Sequence, residues 1–301
     1  MVLITRPEGL GPDQIAPSRR TLGLATVGGL FFATYAPAAL SQAASPITTA
    51  SEGLITADVT YPSADGFDLP AHVARPHSEG PFPVVIVVSE IFGVHEYIRD
   101  ICRRLAGAGY VAIAPAFFVR EADPAPLSDM QAIMRIVAKA GYEQVMGDIQ
   151  ATLDWAATQA LADTDRVGIT GYCWGGKVVW QAAARFEAIG AGVAWYGRLA
   201  PAADASPAQV EAGRPWPIDL AGGLKAPVLG LYGSEDDGIP NDTVHAMNTA
   251  LKAAGQKDSQ IILYDGAPHG FHADYRASYR EADARDGWAR LLDHFQAHLE
   301  P

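Results

Sequence analysis

The segment Gly171-Tyr172-Cys173-Trp174-Gly175-Gly176 sets a cysteine at the centre of a glycine-flanked turn. Residues 166–170 before it read as a buried strand, and residues 177–185 after it read as a helix. Strand, sharp turn and helix form the context of a nucleophile elbow, here with a thiol where a hydroxyl usually stands. The central residue of such a turn takes a strained backbone conformation, and Gly171, Gly175 and Gly176 leave it room. A sulfur held there stands at a helix N-terminus, whose dipole favours the thiolate, the reactive form. The chemistry would be attack on a carbonyl carbon. The competing reading is a structural cysteine between packing glycines.

A thiol nucleophile needs a base, and the base needs an acid to orient it. His269, in Ala267-Pro268-His269-Gly270-Phe271, is the candidate base. The candidate acids are the adjacent Glu235, Asp236 and Asp237, in the loop between Gly233 and Pro240. Nucleophile, acid and histidine in that chain order is the arrangement of α/β-hydrolases. The oxyanion formed on attack needs two backbone N–H donors. Trp174, the residue after the nucleophile, offers one, and Ile91, in the early loop Ser89-Glu90-Ile91-Phe92-Gly93, offers the other. His272 completes a His-x-x-His spacing with His269, but without further ligands that is a weak metal signal, and no metal is assigned.

These residues need a scaffold that brings strand ends together. Strand-like runs at 82–88, 110–115, 166–170, 190–196, 227–232 and 260–264 alternate with helical patterns at 98–108, 130–140, 145–160, 244–254 and 283–299. That alternation predicts an α/β fold with a mainly parallel sheet covered by helices on both faces. Residues 54–61 and 67–74 flank a Ser63-Ala64-Asp65-Gly66 turn and read as an N-terminal hairpin. Every candidate site residue then falls just after a strand, where open α/β sheets bind ligands. Residues 198–225 are rich in Pro, Ala and Gly with little periodicity, and read either as an insertion lining the site or as a plain surface loop.

The chain has 301 residues, 49% hydrophobic and 19% charged, with a formal net charge of −12. An acidic balance argues against a nucleic-acid partner, which needs a basic footprint. Two cysteines, Cys102 and Cys173, form no disulfide framework, and Cys102 falls in a helical pattern. Ser18-Arg19-Arg20-Thr21-Leu22-Gly23-Leu24, a charge-free stretch to Ser51 and the small residues Ser41-Gln42-Ala43 resemble a twin-arginine export signal. Residues 1–43 are accordingly expected to be a leader and 44–301 one domain, exported to the periplasm or beyond; the competing reading is an uncleaved anchor.

From about Thr60 to Leu299 the chain resembles the dienelactone hydrolase family. The motifs that carry the resemblance are Glu90-Ile91-Phe92-Gly93-Val94, the cysteine elbow, Trp195-Tyr196-Gly197, the acid segment from Gly233 to Pro240, and His269-Gly270-Phe271. The resemblance implies cofactor-independent hydrolysis of an enol-lactone, of the type that converts 4-carboxymethylenebut-2-en-4-olide to maleylacetate; separately, the protein is expected to be a monomer. It implies a Cys173-His269-Asp236 triad, with Asp237 the rival acid. It also implies that Glu90 contacts the resting thiol and helps to ionise it; a buried carboxylate there should have a raised pKa and could accept a proton. Two arginines that hold the substrate carboxylate in the family are missing: Ala273 stands at one position, and no arginine matches near Met130. Arg135 and Arg276 are nearby substitutes, and Tyr196 a further substrate contact. Two other functions remain open: a promiscuous esterase or thioesterase on the same triad, and a non-catalytic thiol sensor or binding protein on the same fold.

Overall fold

The computed structural model describes residues 46–299. The leader expected over residues 1–43 lies outside the described residues, so its cleavage and the export route rest on sequence alone.

Eight strands form one sheet: β1 (Leu54–Pro62), β2 (Asp68–Pro76), β3 (Phe82–Val88), β4 (Val111–Pro115), β5 (Ala162–Tyr172), β6 (Ala191–Trp195), β7 (Val228–Gly233) and β8 (Gln260–Tyr264). Their order across the sheet is β1-β2-β4-β3-β5-β6-β7-β8. β1 and β2 form the expected hairpin, with Leu54 opposite Pro76 and Pro62 opposite Asp68. β2 then runs antiparallel to β4, and all later pairings are parallel.

The sequence pattern follows this layout. β1 is the edge strand, and all its residues except the buried Tyr61 are exposed or half-buried. In β3 every residue from Val84 to Val88 is fully buried, which requires cover on both faces of the sheet. Each such aliphatic side chain contributes about 1.5–3 kcal/mol by leaving water.

The cover comes from eight α-helices among the described residues. α1 (Glu96–Gly107) packs on β2, β4 and β3 through Ile98, Ile101, Cys102 and Leu105. α2 (Met130–Val137) starts at Asp129, whose carboxylate accepts from the Gln131 N–H. α3 (Tyr142–Ala157) and α4 (Trp174–Arg185) lie together against β3 and β5. α5 (Pro207–Ala212) and α6 (Pro217–Leu220) fall within residues 198–225, where no periodicity pointed to helix. α5 is short but carries a Ser206–Gln209 capping box, a local signal that periodicity does not register. α7 (Asn241–Ala253) lies beside β8, and α8 (Glu281–Leu299) closes the domain over β5, β6 and β7. No helix among the described residues is long and apolar enough to cross a membrane.

Candidate active site

β5 and α4 meet at Cys173, which has φ 56° and ψ −112°. A non-glycine residue with positive φ is strained, and such strain collects at functional sites. The turn is held by its backbone: the Cys173 N–H donates to Trp195 O at 3.0 Å, and the Gly176 N–H donates to Cys173 O at 3.0 Å. Close approach explains the two glycines that follow. A Cβ on Gly175 would stand 2.4 Å from Val88 O, and one on Gly176 2.4 Å from Trp195 O. The first turn of α4 thus presses on the ends of β3 and β6 and holds the half-buried sulfur above the sheet.

The loops after β7 and β8 are tied together. The Ser234 N–H donates to Tyr264 O at 2.9 Å and the Glu235 N–H to Ala267 O at 3.0 Å. This lacing turns Asp236 inward while Glu235 and Asp237 face solvent. His269 Nδ1 and Asp236 Oδ2 are 2.7 Å apart, and Asp236 Oδ1 accepts from the Gly238 N–H at 2.9 Å. Of the three adjacent acids, Asp236 is the one that reaches the histidine. Burial works against a charge on His269, but the Asp236 carboxylate, and after it Cys173 by charge and hydrogen bond, outweigh burial and raise the ring to about 9. The Tyr196 ring, itself at φ 37°, meets the imidazole edge-on at 5.1 Å.

Glu90 departs from expectation. It is fully buried, yet its pKa is lowered to about 2. Burial alone would raise it; the Arg276 guanidinium and His95 reverse the sign. Its carboxylate accepts from Arg276 at 2.9 Å and from the Tyr275 hydroxyl at 2.8 Å, and lies 3.1 Å from His95 Nε2. Glu90 is therefore an ionised anchor for Arg276, and its pKa is shifted in the direction opposite to the rise that its burial suggested.

Arg276 is 2% exposed and its guanidinium lies 5.1 Å from the centre of the Phe92 ring. It lines a pocket of about 200 Å³ together with Ile91, Phe92, Cys173, Trp174, Tyr196 and His269. The pocket thus gathers most of the residues singled out by sequence, with Glu90 and Asp236 buried behind them. Arg135 is the exception. Its side chain is 70% exposed and pairs with Asp129 at 4.0 Å. On α2 it is Met130, Met134 and Val137 that reach the pocket, leaving Arg135 on a different side of the helix.

Sequence reasoning missed several lining groups. Lys177 lies four residues past Cys173, a helical spacing that could have flagged it. Met130 and Met134 share that spacing on α2. Arg198 and Trp216 come from residues 198–225, which do line the site, and Trp216 carried no local signal at all. His272 is buried, with Nδ1 2.6 Å from the Tyr97 hydroxyl, and burial holds its pKa down to about 3. Among the described residues no group of three His, Cys, Asp or Glu side chains is placed to hold a metal ion.

Comparison with known proteins fits this geometry. Residues 69–299 match the dienelactone hydrolase family. The chain is 46% identical over 286 residues to a "Putative carboxymethylenebutenolidase" of Methylorubrum extorquens, covering 95% of this chain and 94% of the relative. It is 32% identical over 229 residues to a "Probable 2-oxo-3-(5-oxofuran-2-ylidene)propanoate lactonase" of a Bradyrhizobium species, covering 76% of this chain and 89% of the relative. The crystal structure of a "Putative Dienelactone Hydrolase" from Klebsiella pneumoniae superposes with a TM-score of 0.75 at 45% identity, covering 81% of this chain and 99% of that one. The α/β-hydrolase sheet, the cysteine elbow at its centre and these relatives together place the chain in the dienelactone hydrolase family, as a lactone or ester hydrolase.

Proposed function

We propose that the protein hydrolyses a small enol-lactone or carboxylic ester through a covalent Cys173 intermediate, with no cofactor. The observation that carries this reading is the 2.7 Å Asp236–His269 pair, whose imidazole lines the same pocket as Cys173.

The Cys173 sulfur attacks the substrate carbonyl carbon. A C–S bond forms and the carbonyl π electrons move to oxygen, facing the Ile91 and Trp174 N–H groups. Such a donor contributes about 3–4 kcal/mol of transition-state stabilisation. The tetrahedral intermediate collapses, the ring or ester C–O bond breaks, and His269 gives its proton to the departing oxygen. With its pKa near 9, the imidazole holds that proton at neutral pH. His269 then takes a proton from water, the hydroxide attacks the thioester, and collapse releases the acid and restores the sulfur. Asp236 keeps Nδ1 protonated, so that Nε2 faces the sulfur. Glu90 acts through Arg276, holding that cation beside the pocket.

The apolar walls made by Met130, Met134, Val137 and Trp216 favour a second reading on the same triad, an esterase of broad range. Residues 1–43 enter the proposal as an export leader on their sequence alone; the N-terminal sequence of protein recovered after expression tests that assignment.

Turnover of a dienelactone and of a chromogenic ester by wild type and by Cys173→Ala tests the mechanism. The variant is expected to lose at least about a thousandfold in kcat. Equal turnover would show that the sulfur is not the nucleophile.

A further inference from the structure

Lys177 lines the pocket but takes no part in the chemistry above. Its ammonium donates to Gly213 O and lies 4.1 Å from the centre of the Trp216 ring. Both partners are neutral, and an ammonium with three N–H donors keeps capacity for another acceptor. Burial, and after it the Arg198 guanidinium, hold its pKa down to about 8. Among the described residues its partners are the Gly213 carbonyl and the Trp216 ring, and no carboxylate forms an ion pair with it. Keeping such a charge out of water is costly unless something pairs with it.

Fastening residues 198–225 to α4 does not require the charge. Gln181 Nε2 already donates to Pro215 O at 2.8 Å, a neutral tie one turn further along α4. Arg198 lines the same pocket, while α2 offers only Met130, Met134 and Val137. One wall is therefore cationic and another apolar, with Cys173 in the same pocket.

We propose that Lys177, with Arg198 beside it, binds a carboxylate carried by the substrate and so selects amphipathic anionic lactones or esters whose apolar body lies against Met130 and Met134. This rests on the hydrolase reading above. It gives the carboxylate a different anchor from residue 273, a buried alanine in this chain. Arg276 does not fill that role alone, because Glu90 already pairs with it.

The test compares kcat/KM for two aryl esters that differ only in a carboxylate on the acyl chain, one free and one capped as its methyl amide. Wild type should prefer the free carboxylate. Lys177→Met should lower the ratio of the two values at least tenfold, mainly through KM on the anionic ester, and Lys177→Arg should restore it. Gln181→Leu loosens the same segment without touching the charge and should leave the ratio as in wild type. The proposal is overturned if wild type shows no preference, if Lys177→Met lowers both substrates equally, or if Gln181→Leu lowers the ratio as much. Hydrolysis of the capped ester that depends on Cys173 but shows no anion preference would overturn this inference alone. If neither ester were turned over through Cys173, the hydrolase reading itself would fail.

Discussion

Replacing Asp236 by asparagine isolates the charge that the acid contributes to His269. The side-chain shape and the acceptor for the Gly238 N–H both remain. In the wild type the imidazole pKa rises from the ordinary 6.5 to about 9. A group whose folded pKa is raised adds stability that is fully present below pH 6.5 and is lost as the pH climbs to about 9. At 1.36 kcal/mol per pH unit that gap corresponds to about 3 kcal/mol. In Asp236→Asn burial acts against the sulfur alone, so the ring pKa falls and the low-pH contribution vanishes. Urea unfolding of both proteins at pH 6 and pH 9.5 reads the difference. The variant should be less stable by about 3 kcal/mol more at pH 6 than at pH 9.5. Its kcat should drop by about 10⁴, as expected when the imidazole takes the wrong tautomer. A stability gap equal at the two pH values would refute the idea that Asp236 holds a charged His269.

Gly176→Ala should reduce soluble, folded protein sharply, because its methyl group would meet Trp195 O at 2.4 Å; overpacking against backbone costs about 1–3 kcal/mol or more, and thermal melting checks it. Glu90→Gln should destabilise the fold by about 3–5 kcal/mol by leaving Arg276 buried without its counter-charge, read by urea titration; a neutral effect would mean that the pair is not coupled. Iodoacetamide at pH 8 should label Cys173 before Cys102, because Cys102 is fully buried and burial pushes its thiol up to about 12; peptide mapping decides the order. Arg135→Ala should leave kcat/KM unchanged, since that side chain is directed to solvent.

The sheet could be read in the sequence because its inner strands are short apolar runs, as in residues 84–88 and 228–232, set between glycine and proline punctuation. Cys173, His269 and the acidic loop could be read because each stands just after such a strand. The resemblance singled out Asp236 with Asp237 as rival; the contact that ties it to His269 joins two loops 33 residues apart in sequence, which no local pattern displays. The direction of the Glu90 pKa was misjudged because burial is only one contribution to it. The opposing cation, Arg276, comes from 186 residues further along the chain, and no local pattern announces it. Arg135 was misjudged because proximity in sequence says nothing about which side of a helix faces the pocket. Trp216 and Arg198 were invisible for a similar reason: a segment without periodicity still has a place in space once Gln181 and Lys177 fasten it.

The topology also sets a timetable. Synthesis runs from the N-terminus, and β5 with its elbow is complete about a hundred residues before His269 is made. The strands on both sides of Cys173 in the finished sheet, β3 and β6, straddle β5 in chain order. The elbow therefore closes only when β6 arrives and Trp195 O receives the Cys173 N–H. The base comes later still, and α8 then seals β5, β6 and β7. A nascent or truncated chain lacking residues beyond Tyr264 would carry the thiol without the imidazole that serves it. On the proposed mechanism the pair of thiol and imidazole is thus complete only when nearly the whole domain exists, a consequence of where His269 falls in the chain.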